Sequence, residues 1–99
     1  MKVVGRDLLR AFGDKHTDAR KWISGWLAEV ELATWQTPHQ LKDMYPSASI
    51  LGDGLVIFNV KGNRYRLETR IAYGTGIVVV RWLGTHAEYD KRSERDRSE

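Results

Sequence analysis

Apolar residues change their spacing about halfway along the chain. After Asp18, Trp22, Trp26, Val30 and Ala33 recur every three or four residues, Ile23 and Leu27 widen the stripe, and Arg20, Lys21, Glu29 and Glu31 take the other side. That spacing predicts an amphipathic helix. Before it, "KVV" reads as a short strand, and Leu8, Leu9 and Phe12 lie at helical spacing until Gly13 closes the segment. In "TPHQ", Thr37 is placed as an N-cap, Pro38 at the first helical position and Gln40 three residues after the cap. This capping-box pattern predicts a short helix to about Met44, ended by Tyr45 and Pro46.

From Ser47 the period becomes two. "LVIFNV" predicts a strand, "KGN" a turn with positive φ at Gly62 or Asn63, "RYRLETRIAY" a long strand, "GTG" a second turn, and "IVVVRWLG" a third strand. Helices followed by an antiparallel meander predict an α+β domain, its N-terminal helices packed on one face of a mainly antiparallel sheet. "THAEYDK" is expected to add a turn of helix. Residues 1–91 read as one domain, and 92–99 as a polar, disordered tail with nothing to bury.

Alternation fixes the faces of the long strand. Tyr65, Leu67, Thr69, Ile71 and Tyr73 point one way, and Arg64, Arg66, Glu68, Arg70 and Ala72 the other. The first set is expected under the helices, leaving the arginines on the open side, where a phosphate chain could lie. Trp82 shares a strand with Arg81 but faces the opposite side, so if Arg81 meets RNA, Trp82 should pack under the helices.

Charge sharpens this picture. The chain of 99 residues carries 16 Lys plus Arg against 13 Asp plus Glu. Residues 61 to 70 hold Lys61, Arg64, Arg66 and Arg70 against Glu68 alone, so the entire excess of three can be assigned to this stretch. Cysteine is absent, which removes a disulfide framework and a thiolate metal site as supports. His16, His39 and His86 are too dispersed for metal-ligand spacing, and no metal or other cofactor is expected. "IVVV" is the longest aliphatic run and the start lacks an apolar segment of signal length, so a cytoplasmic protein without membrane contact is expected.

"YPSASIL", "VIFNVKGNRYRL" and "VRWLGTHAEYDK" together resemble the HigB family of bacterial type II toxins, RelE-like messenger-RNA interferases made beside an antitoxin, HigA. The resemblance runs over roughly residues 1 to 91 and is most specific in "FNVKGN" with Arg66, and in "GTHAEYD". It implies a RelE/ParE-like fold, a metal-free ribonuclease acting on translated mRNA at the ribosome, and a HigA-like helix-turn-helix antitoxin as partner. The matching positions are Asn59, Lys61, Asn63, Arg66, Arg81, His86, Tyr89, Asp90 and Lys91.

Metal-free cleavage of RNA uses the 2′-hydroxyl as nucleophile. It needs a group to take that proton, cations for the five-coordinate phosphorus, and a proton for the leaving 5′-oxygen. Arg66 is the first candidate for the phosphorane and Arg81 the second, since guanidinium forks fit phosphate oxygens. His86 is the candidate base or acid, since imidazole is the side chain type suited to moving protons near neutral pH. In a helix, His86, Tyr89 and Asp90 share one face, letting Asp90 orient His86 while Tyr89 stacks on a base or supplies a proton. Arg64, Arg70, Lys61 and Lys91 are assigned to RNA binding with Asn59 and Asn63. Simpler readings stand beside these: Arg64 and Arg70 as a solvated face or partners of Glu68, Lys61 as turn chemistry, and both asparagines as caps on turn backbone. His16 and His39 read as surface residues. Two other functions use the same features: a non-catalytic RNA- or ribosome-binding module, and a ParE-like gyrase poison.

Overall fold

A computed structural model describes residues 1–97, with side chains through Arg92. In chain order the elements are β1 (Lys2–Val4), α1 (Arg6–Lys15), a 3-10 turn (Thr17–Ala19), α2 (Arg20–Leu32), α3 (Pro38–Met44), β2 (Ser49–Ile50), β3 (Leu55–Val60), β4 (Tyr65–Ala72), β5 (Ile77–Thr85) and α4 (His86–Arg97). The five strands form one sheet in the order β1-β5-β4-β3-β2. All pairings are antiparallel except β1 with β5, which is parallel and makes the sheet mixed.

The fold is α+β, and one contiguous core fills the space between the first three helices and the sheet. Leu9 and Phe12 of α1, Ile23, Trp26 and Val30 of α2, and Leu41 of α3 meet Val56, Phe58 and Val60 of β3, Leu67 and Ile71 of β4, and Val78 and Val80 of β5. Trp26 and Tyr45 each meet the Phe58 ring edge-on, at centroid separations of 5.4 and 5.2 Å. Such T-shaped contacts add to the burial itself. Gly5 makes the turn from β1 into α1 at φ 94, and a Cβ there would stand 2.8 Å from the Val80 carbonyl. Only glycine allows α1 to fold back this closely.

The caps follow the sequence with small changes. Thr37 Oγ1 accepts from the Gln40 amide at 3.3 Å, and Gln40 Oε1 accepts from the Gln36 amide at 2.7 Å, one residue upstream of the box position. In the β3–β4 turn it is Lys61 and Gly62 that adopt positive φ, while Asn63 does not.

Two expectations are corrected. At Glu68/Thr69 the β4–β5 register shifts: Glu68 pairs with Trp82 and Thr69 with Val80, so Arg81 is an extra residue on β5. A bulge of this kind reverses the alternation beyond it. Val80 therefore stays in the core, whereas Trp82 stands with Glu68 on the opposite face, not beneath the helices. The second concerns the chain end, where the backbone continues in α4 through Arg97 and lies against that opposite face. The expected tail thus begins inside a helix at Arg92, and residues 98 and 99 lie outside the described residues. No helix among the described residues is long and apolar enough to cross a membrane.

Candidate active site

The face of the sheet turned away from the core carries Asn59 of β3, Arg66, Glu68 and Arg70 of β4, and Trp82 and Gly84 of β5, by strand register. α4 crosses one end of this face. Its start is fixed by a complete capping box: Glu88 N donates to Thr85 Oγ1 at 3.1 Å, and Thr85 N donates to Glu88 Oε1 at 2.9 Å. These bonds to Thr85, its amide first, hold the Glu88 carboxyl below its usual range. A backbone bond from His86 N to Arg64 O, 3.2 Å, ties the same point to the β3–β4 turn.

Further along, α4 is clamped to the sheet. Both carboxylate oxygens of Glu68 accept from the Arg92 guanidinium, Nη1 to Oε1 and Nη2 to Oε2, the second at 3.3 Å. Arg92 also lies 5.1 Å over the Trp82 ring, and Tyr89 meets that ring at 6.0 Å. The indole lies over Gly84, where a Cβ would come within 2.6 Å of ring carbons Cη2 and Cζ2. Glu68 is one of two buried polar or charged residues of the described chain. From sequence alone it reads as a partner for Arg64 or Arg70. Its position as the single acid on a basic strand was the available signal.

Between cap and clamp, four of the predicted residues converge. Arg66 Nη2 lies 2.8 Å from His86 Nε2, and His86 Nδ1 lies 3.0 Å from Asp90 Oδ2. A guanidinium can only donate, so Nε2 is the acceptor and the ring proton sits on Nδ1, directed at Asp90. Arg66 also covers the Tyr89 ring at 5.5 Å, a cation–π contact. Its Nε is buried without a hydrogen-bond partner among the described residues, leaving the guanidinium with unused donor capacity. The His86 side chain is 40% exposed and therefore reachable from solution.

The other candidates are more scattered. Arg64 precedes β4 and leaves the face of Arg66. It reaches Asp18 on the helix side at 2.6 Å, and Tyr65 Oη donates to the same carboxylate at 2.7 Å. Bonds from Tyr65 and then Arg64 hold the Asp18 carboxyl low. Asn59 Nδ2 donates to Ser47 O at 3.1 Å and so anchors the segment before β2. Lys61 and Asn63 are exposed in the turn beside the start of α4, and Lys91 is exposed on α4 itself. Arg70 and Arg81 are exposed and make no salt bridge among the described residues. His39 is a surface residue near Asp43, but His16 is half-buried, its ring 4.4 Å from Phe12 and 5.0 Å from Tyr65.

A basic fork, a half-exposed imidazole engaged at both ring nitrogens, a carboxylate behind it and a phenol thus share one open surface. That set can bind a phosphodiester, move a proton and hold developing charge. A family model described as HigB toxin, RelE-like toxic component of a toxin-antitoxin system, matches residues 19–92 and so spans the whole constellation, leaving β1 and α1 outside the match. No curated protein matches the chain.

Proposed function

Since the chain belongs to the HigB family of RelE-like toxins, we propose that it is the toxin of a type II system and an endoribonuclease that cuts translated mRNA in the cytoplasm, at the ribosome, until a HigA-like antitoxin neutralises it. The observation that carries this reading is the chain Arg66–His86–Asp90, with contacts of 2.8 and 3.0 Å.

The free site holds its base in reserve. Arg66 occupies the lone pair of His86 Nε2. A phosphate arriving on the guanidinium draws those donors away, and Nε2 becomes free to take the 2′-hydroxyl proton. O2′ then bonds to phosphorus, Arg66 stabilises the equatorial charge, and Asp90 steadies the imidazolium through Nδ1–H. The bond from phosphorus to the 5′-oxygen breaks as Tyr89 delivers a proton to it, leaving a 2′,3′-cyclic phosphate. Arg81, Arg70, Lys91, Lys61 and Asn63 extend the phosphate-binding surface around this centre. Asn59 supports it through the Ser47 bond, and Arg64 through Asp18.

Primer extension on mRNA from cells making wild type or His86→Ala tests the reading. Cleavage is expected to fall by about 10²- to 10⁴-fold with RNA binding retained. Undiminished cleavage by His86→Ala would overturn the assignment. A chain that never cleaves yet inhibits supercoiling by gyrase would replace the nuclease with the poison.

A further inference from the structure

α4 covers only one end of the open face. At the other end the strand registers place Val4, Val79, Arg70 and Leu55 in one row across four strands, and Lys2, Ile77 and Ala72 in the next. Val4 leaves 44% of its surface exposed and Val79 37%. Ala72 is exposed, and Ile77 and Leu55 are half-buried. This is an aliphatic strip on a sheet, adjoining the candidate active site and covered by nothing among the described residues.

The charged residues within these rows are cations. Lys2 and Arg70 stand in the rows themselves and Arg81 lies at the neighbouring bulge; all three are exposed and outside every salt bridge of the described residues. The only acid that the register puts on this face, Glu68, is taken by Arg92. Three cations would suit RNA, but Val4, Val79, Ile77, Ala72 and Leu55 would not, since the rows carry no aromatic ring on which a base could stack. Burial of aliphatic surface calls for a protein. A second copy of this chain would bring the same cations face to face.

We propose that this strip is the docking surface for the antitoxin, taken by an amphipathic segment whose aliphatic side chains cover Val4, Val79 and Ile77 and whose flanking acids meet Lys2, Arg70 and Arg81. This rests on the toxin reading above and adds where neutralisation happens. Four strands and two side-chain rows make a patch of about 14 by 7 Å, and a helix with its side chains is about 10 Å wide. One helix therefore fills it. Seated there, the segment lies beside α4 and across the approach to Arg66 and His86, so it excludes RNA without touching either residue.

The test measures affinity of the purified cognate antitoxin by calorimetry for the wild type, the double variant Val4→Gln with Val79→Gln, and Lys2→Glu. None of these residues belongs to the cleavage machinery. Affinity is expected to fall at least about tenfold in each variant, while RNA cleavage by the free chain is unchanged. Lys2→Glu keeps the test sound if the double variant folds poorly. Unchanged antitoxin affinity overturns the proposal. So does a loss of RNA binding in its place, or a concentration-dependent dimer of the free chain that the substitutions abolish. Because calorimetry reads the complex and not the cleavage, failure of the nuclease reading stays distinguishable from failure of the docking surface.

Discussion

The catalytic candidates on α4 are only as well placed as the clamp that holds that helix, and Arg92→Met isolates the clamp. The substitution keeps an apolar stem over Trp82 and removes the guanidinium from Glu68. The Glu68 side chain is 9% exposed, and that of Arg92 37%. Stripping one partner from a fully buried pair costs about 3–5 kcal/mol. The exposure of Arg92 means that water already screens part of the interaction, so about 2 kcal/mol is the appropriate figure. At about 1.4 kcal/mol per tenfold this shifts the balance between docked and undocked α4 by about 30-fold. Amide hydrogen exchange at residues 89–92 should quicken by that factor. RNA turnover should drop at least about tenfold as His86, Tyr89 and Asp90 lose their position relative to Arg66. The core between the helices and β3–β5 contains neither partner, so melting of the whole domain should move little. Glu68→Gln supplies the second arm of a double-mutant cycle, and its effect should be far from additive with Arg92→Met. Exchange and turnover both within about twofold of wild type, or strictly additive effects, would refute a positioning role for the pair.

Arg66→Lys keeps the charge but loses the fork, and should lower kcat by about 10²-fold while KM for RNA changes little, as measured by steady-state cleavage. Gly84→Ala pushes a Cβ into the Trp82 ring and should reproduce the fast exchange of Arg92→Met, with turnover falling alongside. Thr85 holds the Glu88 carboxyl below its ordinary value of 4.5, so the unfolded state binds the proton more readily. The stabilisation of the α4 cap is then fully present above that pH and lost as pH falls through the lower, folded value. An NMR titration of the Thr85 amide should accordingly show a midpoint below 4.5, and a midpoint at or above it would remove the cap from the account.

What was legible in the sequence was whatever short-range pattern controls. The α2 stripe, the Thr37 cap and the three meander strands stand where their spacings put them, since each is decided within a dozen residues. The parallel pairing of β1 with β5 joins opposite ends of the chain, and no local signal announces it. The bulge at Arg81 was equally silent. It moves Trp82 from the expected core position to the face of α4, and that relocation creates the surface on which Arg92 rests. The length of α4 was missed for another reason. "KRSERDRSE" has no apolar stripe, so composition pointed to disorder, whereas the helix is held by groups outside it. Thr85 and Glu88 did carry the same capping signature that correctly located α3.

The site itself was foreseeable as a set and not as an arrangement. Arg66 could be put on the open face by alternation, and His86, Tyr89 and Asp90 on one helix face by their spacing. What brings the two groups to 2.8 Å is the docking of α4, which depends on Glu68, Trp82 and Gly84. Those three residues read as a stray acid, a core tryptophan and a strand-end glycine. Each makes sense only once the bulge has turned Trp82 over. A polar helix held at its start by a capping box and part-way along, at Arg92, by one ion pair is weakly held compared with α2, whose Trp26 and Val30 are buried. The imidazole therefore sits on the less secure half of the site and the guanidinium on the rigid sheet. Under the proposed function, a phosphate bound at Arg66 would change the contacts of His86 without having to deform the core.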